Sequence, residues 1–309
     1  MSCANENFYI KDTHFWNVNY KIPCRWCVNC RVDRKKQWIE RCNYEFKNKV
    51  SGAFVTFTYS DEYLPLVKGN DERIRATLRI NDARKFIERL RKYIENHETE
   101  NNILRQKEFT YLGIGEYGLN GEIFDRPHFH ILFFGLDFYY NKKLFEQEWK
   151  MGLIDSLPIL QGGIAYVLKY IDKQVMGKEA RYNNYYRWGL EAPKQFNSKG
   201  LGSNLYLDEF ENAQRNNGVI KYGMKEIIVP QYYKNKTLMK IDNKKNIKKT
   251  VENLKKYDRN IKEPIFWSYD KMQKEMCAIN KLSNEIYKIR EKNLLARMQA
   301  NGEQIYIQE

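Results

Sequence analysis

Residues 126–135 constrain the fold of this chain more than any other segment. Their sequence is Arg126-Pro127-His128-Phe129-His130-Ile131-Leu132-Phe133-Phe134-Gly135. Side chains of a β-strand alternate between faces, so a strand here would be apolar on both sides. Strands of this kind lie inside sheets that are covered on both faces. The segment therefore predicts a central strand from which His128 and His130 project to the same side.

These two histidines are half of the four in the chain. They are either two hydrogen-bonded core histidines or two ligands of one cation. We favour the metal site because imidazole is the commonest metal-ligating side chain. Residues 108–117 predict a partner strand, joined to the histidine strand as an antiparallel hairpin by the glycine-rich loop 118–126.

A third ligand is expected from that partner strand. Glu116 would lie opposite the histidines, and a buried glutamate without a partner would be costly. Two imidazoles and one carboxylate leave positions open for phosphate oxygens, as metal-assisted phosphoryl transfer requires. We therefore predict that His128, His130 and Glu116 bind a divalent metal, Mg²⁺ or Mn²⁺.

A second pattern occurs in the predicted helix 162–175. Tyr166 and Tyr170 are four residues apart, and Lys169 and Lys173 each follow a tyrosine by three, so all four share one helical face. A phenol has a pKa of about 10 and needs nearby cations to act as a nucleophile. The alternative is an amphipathic face on which the tyrosines pack and the lysines extend to solvent.

The remaining elements alternate between strand and helix before residue 230. Residues 51–59 predict a strand and residues 81–97 an amphipathic helix. Residues 29–49 would form one basic helix and residues 268–299 a C-terminal helix. There is neither a GxxxxGK[ST] loop nor a GxGxxG motif, so use of a nucleoside triphosphate is unsupported.

The charge of the chain points to polyanionic partners. The 309 residues carry a net charge of +14, which makes nucleic acid the first partner to consider. Residues 231–262 hold eleven basic residues against three acidic ones. We predict a domain at 1–230 and an appendage at 231–309, whose basic arm is either a solvated connector or a phosphate-binding segment.

The six cysteines add a third pattern. The longest apolar stretch near the middle, 131–136, is far short of the ~20 residues that cross a bilayer. With no secretory signal visible at the N-terminus, we expect a reducing cytoplasm and thiols rather than disulfides. Cys24, Cys27 and Cys30 form CxxCxxC.

Cys42 is excluded from a shared zinc site by the predicted helix, which would separate it from Cys30 by about 18 Å at ~1.5 Å per residue. Structural zinc on Cys24, Cys27 and Cys30, with a ligand such as Cys3 or a histidine, and buried thiols at the helix start are the two interpretations. Basic residues of the same helix are candidates for DNA backbone contacts or for a solvated face: Arg31, Arg34, Lys35, Lys36 and Arg41.

Three motifs in order carry a resemblance to a known family. The strand Phe54-Val55-Thr56-Phe57-Thr58-Tyr59, the His128-Phe129-His130 strand and the helix Tyr166-Val167-Leu168-Lys169-Tyr170 resemble the motifs of HUH-type rolling-circle replication initiators. Flanking segments are similar to the initiators of gokushovirus-like Microviridae, small single-stranded DNA phages. They include Pro23-Cys24-Arg25-Trp26-Cys27, Gln37-Trp38, Arg41-Cys42, Gly115-Glu116-Tyr117-Gly118 and Arg126-Pro127-His128.

The resemblance covers about residues 20–205. The segment Lys199-Gly200-Leu201-Gly202 departs from it, since lysine stands where the family has proline in Pro-Gly-Ile-Gly.

The resemblance implies an α+β fold: an antiparallel sheet of about five strands with helices on both faces, the HUH endonuclease fold. It implies a metal-dependent nickase and strand transferase that acts on single-stranded origin DNA. One tyrosine would form a 5′-phosphotyrosyl link and leave a 3′-OH for host polymerase, while the second permits joining. Lys169 and Lys173 would neutralise charge on the phosphate. Host replication proteins, including a helicase, would be partners in the bacterial cytoplasm, with no membrane involved.

Two other functions are compatible with the sequence. A noncatalytic protein could stack single-stranded bases on its many aromatic side chains, with the histidines only structural. A plasmid initiator or a transposase of the same superfamily would keep the chemistry and change the biology. The Cys-rich N-terminal stretch and the paired tyrosines favour the phage initiator through the resemblance.

Overall fold

The computed structural model describes residues 9–11, 19–21, 24–25, 27–49, 51–101, 108–118, 126–160, 162–171, 178–203, 207–222, 225–236, 243–262 and 269–300. Two compact units divide the chain. The sheet unit comprises residues 38–204, and the terminal unit is built from the segments before and after it. The predicted domain boundary near residue 230 falls inside the terminal unit and stays a prediction.

The strands within the described residues are β1 (Tyr9–Lys11), β2 (Asn19–Lys21), β3 (Gly52–Thr58), β4 (Leu66–Lys68), β5 (Ile74–Ala76), β6 (Thr110–Tyr117), β7 (Pro127–Phe134), β8 (Ile154–Pro158), β9 (Gln195–Asn197), β10 (Val219–Tyr222) and β11 (Lys225–Ile228). The α-helices are α1 (Val28–Lys47), α2 (Ile80–Asn101), α3 (Phe138–Glu148), α4 (Gly163–Leu168), α5 (Lys178–Asn184), α6 (Leu207–Arg215), α7 (Gln231–Lys236), α8 (Asn243–Leu254) and α9 (Tyr269–Ala300). Short 3₁₀ turns occupy Lys169–Ile171 and Tyr186–Trp188.

Five strands form the sheet of the sheet unit. Their order is β8-β3-β7-β6-β9, and every neighbouring pair is antiparallel. The histidine strand β7 is the middle strand, as its two apolar faces predicted. The expected hairpin between β6 and β7 is also confirmed by their antiparallel pairing.

Helices cover both faces of this sheet. On one face, Phe129, Ile131 and Phe133 of β7 share a core with Phe86 of α2 and Phe145 of α3. On the other, the core combines strand, helix and loop residues: Leu112, Ile114, Leu132, Phe134, Cys42, Ile164, Val167, Leu168 and Leu201. The predicted α+β architecture with helices on both faces is therefore confirmed.

The predicted helices are found with modest differences at their ends. Residues 28–47 form one helix, close to the expected 29–49, and α2 extends the expected 81–97 in both directions. The predicted helix 162–175 is shorter, because α4 tightens into a 3₁₀ turn at Lys169. In the terminal unit α8 packs on α9 around an apolar cluster that includes Val251 and Ile279. No described helix is long and apolar enough to cross a membrane.

Candidate metal centre and tyrosine helix

The register of β6 and β7 brings the predicted ligands together. Glu116 pairs directly with His128, and Ile114 pairs with His130. Alternation along β7 places His128 and His130 on the face that carries Leu132 and Phe134. The Glu116 residue is only 7% exposed, so its carboxylate is held by the two central strands rather than by a surface loop.

Both imidazole rings converge on one carboxylate oxygen. Glu116 Oε2 lies 3.3 Å from His130 Nε2 and 3.6 Å from His128 Nε2. One ligand atom from each of the three residues lies within 4.8 Å of the others. Two imidazole nitrogens and a carboxylate are a donor set suited to a divalent cation such as Mg²⁺ or Mn²⁺, so these residues fit the predicted metal.

Hydrogen bonds at Nδ1 orient both rings. His128 Nδ1 lies 3.1 Å from the Arg126 carbonyl oxygen, and His130 Nδ1 lies 3.0 Å from Thr56 Oγ1. A carbonyl only accepts, so His128 Nδ1 carries the proton and Nε2 keeps the lone pair that a metal needs. The histidines are thus hydrogen-bonded in the core, but this accounts for only one nitrogen of each ring.

The tyrosine helix faces this cluster. The Tyr170 ring stacks on His130 with centroids 4.2 Å apart and an interplanar angle of 18°. Tyr166 lies one turn earlier, 51% exposed, with its ring 6.1 Å from that of Tyr170. The Phe54 ring lies 5.7 Å from His130 and 6.4 Å from Tyr166. One tyrosine is thus against the cluster, and the other is open to solvent.

Lys169 lies against both tyrosines. Its Nζ is 3.8 Å from the centroid of the Tyr166 ring and 5.3 Å from that of Tyr170. It therefore contacts the aromatic rings instead of extending away from them. Lys173 lies outside the described residues. Burial raises the pKa of Tyr170, and the hydrogen bond with Tyr166 and the charge of Glu116 act in the same direction.

The loop 199–202 packs beneath the tyrosine helix. Leu201 is fully buried in the core that contains Val167 and Leu168. Its carbonyl accepts hydrogen bonds from Arg41 Nε (3.1 Å) and Nη2 (2.6 Å). Lys199, the departure from the family pattern, is exposed. The buried role in this loop thus belongs to the residues after it.

Gly202 allows this loop to reach α1. Its N–H donates to Glu45 Oε2 at 2.7 Å, and its φ of 64° is disfavoured for residues with a Cβ. A Cβ at this position would lie 2.3 Å from the Arg41 carbonyl oxygen. Close backbone approach therefore explains the glycine.

Two of the five basic residues proposed for DNA contact are used inside the protein. Arg31 is 3% exposed. Arg41 binds the Leu201 carbonyl and lies over the Trp38 ring, 4.0 Å from its centroid. Helical position did not distinguish these two from Lys36, which is exposed.

The predicted cysteine cluster is assembled in the terminal unit. The sulfur atoms of Cys24, Cys27 and Cys30 lie within 4.8 Å of one another. Hydrogen bonds with the other two thiols, together with burial, raise the pKa of Cys30. Cys42 lies in the core of the sheet unit, as the helix geometry required. Cys3 lies outside the described residues.

Sequence reasoning missed residues that support the site. Thr56 pairs with His130 in the register of β3 and β7, and Phe54 lies two residues earlier. Arg126 donates to the Tyr59 carbonyl at 2.6 Å and forms an ion pair with Asp61. Alternation in β3 would have placed Phe54 and Thr56 on one face. Only the strand register shows that this face meets the histidines.

Comparisons with known proteins agree with these motifs. The model of the replication-associated protein ORF2 family matches residues 52–175, the span from β3 through the tyrosine helix. Replication-associated protein ORF2 of Spiroplasma virus 4 is 29% identical over 234 residues, which cover 70% of this chain and 67% of that protein.

Two further phage proteins are similar. Replication-associated protein ORF4 of Chlamydia phage 1 is 25% identical over 240 residues, 70% of this chain and 53% of that protein. Replication-associated protein VP4 of Bdellovibrio phage phiMH2K is 23% identical over 183 residues, 55% of this chain and 53% of that protein. The chain thus spans about two thirds of the first relative and about half of the other two.

The family match and the three phage relatives agree on one class of protein, the replication-associated proteins of small phages. The resemblance to Microviridae-like replication initiators is therefore confirmed. No solved structure matches the chain.

Proposed function

We propose that this chain is a phage replication initiator that binds DNA, and that it nicks and rejoins a single-stranded origin through a 5′-phosphotyrosine intermediate. The observation that carries the proposal is the convergence of Glu116, His128 and His130 beside the stacked ring of Tyr170. The family match and the phage relatives support replication as its setting.

The three converging side chains would hold the metal. A divalent cation bound there would supply Lewis acidity to the scissile phosphate. The protein's own contribution is orientation, because the bonds at Nδ1 aim both Nε2 atoms at one point.

A tyrosine hydroxyl is the proposed nucleophile. Its oxygen forms a bond to phosphorus as the bond between phosphorus and the 3′ oxygen breaks. The phenolic proton is lost and the 3′ oxygen is protonated, which leaves a phosphotyrosine and a 3′-OH. Lys169, beside both rings, stabilises charge that develops during transfer.

The second tyrosine permits joining. It would cleave the regenerated origin, and the 3′-OH released there would attack the first phosphotyrosine and close a circle. We propose Tyr166 and Tyr170 for these two roles, with Lys169 and Lys173 as supporting cations. We also propose host helicase and polymerase as partners and the host bacterial cytoplasm as the location.

The test is covalent adduct formation with single-stranded phage-origin DNA. The full chain is incubated with Mn²⁺ or Mg²⁺, with and without EDTA, and resolved on a denaturing gel. We expect a metal-dependent protein–DNA adduct that the Tyr166→Phe, Tyr170→Phe double variant cannot form. Each single variant identifies the tyrosine that attacks first.

A noncatalytic binding protein would give a different result. Tight origin binding that is indifferent to metal and to both tyrosines, with no adduct, would overturn the proposal. An adduct with plasmid or transposon ends but none with phage origins would retain the chemistry and reassign the biology.

A further inference from the structure

The cysteine cluster has the dimensions of a site for a single metal ion. The sulfur atoms of Cys24 and Cys30 are 3.9 Å apart, and all three sulfurs lie within 4.8 Å of one another. Thiolates around a tetrahedral zinc ion lie about 3.8 Å apart, given Zn–S bonds of ~2.3 Å. The observed spacing therefore requires little rearrangement to surround one ion.

The backbone around the cysteines favours such a turn. The Cys27 N–H donates to Cys24 Sγ at 3.3 Å, which closes the first CxxC segment on itself. Arg25, between them, has a φ of 74°, so the chain reverses sharply there. Cys30 lies in the first turn of α1, where the helix dipole favours negative charge. Each feature suits a thiolate that is bound to a cation.

We propose that Cys24, Cys27 and Cys30 bind one zinc ion as thiolates. Three S–H groups lose their protons to solvent as three Zn–S bonds form, with no change of oxidation state. The fourth position of the tetrahedron is left to water or to another ligand. Soft sulfur donors distinguish this site from the oxygen and nitrogen donors of the Glu116 centre.

A four-iron cluster fits the same sequence pattern less well. Closely spaced cysteines also ligate iron–sulfur clusters. In such a cluster each thiolate binds a different iron, so the sulfurs are spread more widely than around one ion. The 3.9 Å separation of Cys24 and Cys30 favours zinc.

The ion would fix the beginning of α1 within the terminal unit. The Val28 N–H donates to Glu291 Oε1 of α9 at 2.8 Å, and Asn29 Nδ2 donates to the Tyr287 carbonyl at 3.1 Å. These bonds hold the first residues of α1 against α9, directly after Cys27. Zinc at the three cysteines would therefore be structural.

The experiment measures bound metal in the purified full chain. We expect about one equivalent of zinc per chain, the occupancy of a single site, by mass spectrometry of the elements. Cys24→Ser, Cys27→Ser and Cys30→Ser should lose it. Cys277→Ser is the matched control because Cys277 is free and exposed, and it should keep the full equivalent.

Cobalt substitution keeps the test decisive if the cysteine variants fail to fold. Wild-type protein loaded with Co²⁺ should show intense visible bands of tetrahedral coordination and a sulfur-to-cobalt charge-transfer band. A spectrum without thiolate bands would overturn the proposal. So would iron with acid-labile sulfide in place of zinc, or a disulfide among the three cysteines.

This outcome is independent of the nicking reaction. Protein with His128→Ala and His130→Ala should keep its zinc while it loses the metal of the other centre. Zinc that disappears from this variant and persists in Cys30→Ser would assign the ion to the histidine centre and contradict the proposal.

Discussion

The two ligand clusters of this protein contrast in how the chain assembles them. Glu116, His128 and His130 lie on the two adjacent central strands of a sheet, and their contact depends on strand register. Cys24, Cys27 and Cys30 lie within seven residues, where a turn leads into α1. One cluster is made by tertiary pairing and the other by local chain geometry.

The contrast extends to chemistry. Nitrogen and oxygen donors with open positions suit exchangeable metals that contact a phosphate, whereas three thiolates suit a zinc ion that remains in place. The Glu116 centre has tyrosines against it, and the cysteine cluster adjoins the contacts between α1 and α9. The first arrangement is thus suited to catalysis and the second to stabilising a helix start.

The largest expected effect comes from removing the carboxylate of the strand-borne cluster. Metal assistance supplies several kcal/mol to phosphoryl transfer, so Glu116→Gln should slow adduct formation by about 10³-fold. The exposed Glu88→Gln on α2 is the control and should react like wild type. Cys30→Ser should keep a near-normal rate per folded molecule. A loss as large as that of Glu116→Gln would remove the distinction between the clusters.

Metal removal should separate the clusters in one sample. Brief exposure to EDTA followed by desalting should abolish adduct formation, and Mn²⁺ or Mg²⁺ should restore it. Zinc should be retained throughout, because thiolates bind zinc far more tightly than open oxygen and nitrogen sites bind Mg²⁺. Elemental analysis before and after treatment checks this. Simultaneous loss of zinc and activity would show one shared site.

The hydrogen bond from Thr56 to His130 should have an intermediate effect. Thr56→Val removes the group that holds Nδ1, and losses of this kind reduce metal affinity about 10–100-fold. Titration of adduct formation with Mn²⁺ measures the shift. Thr58→Val is the matched control on the same strand, because its hydroxyl donates to the Leu153 carbonyl. Equal shifts in both variants would argue against ring orientation.

The smallest effect tests the support beneath the tyrosine helix. Gly202→Ala forces a Cβ toward the Arg41 carbonyl at a positive φ, which should cost about 1–3 kcal/mol of unfolding free energy. Gly163→Ala is the control, since nothing lies within 4 Å of its Cβ position. Thermal or urea unfolding compares the two. Equal stabilities would mean that the loop shifts without strain.

Much of the candidate site could be predicted from residue spacing. Two histidines on one face of an apolar strand, and two tyrosines one helical turn apart, follow from the periods of strands and helices. The same periods could not tell Arg31 and Arg41 from solvated basic residues, because burial of α1 depends on what packs against it. They also gave no sign that Lys169 lies against the tyrosine rings.

The sequence by itself determined which side chains share a strand face, a helix face or a tight turn, since these relations depend on local backbone geometry. The tertiary structure decided which of those faces meet. Strand register placed Glu116 opposite His128 and Thr56 opposite His130, and helix packing set Tyr170 on His130. Such contacts join residues far apart in the chain, and they form only when both faces of the sheet are buried.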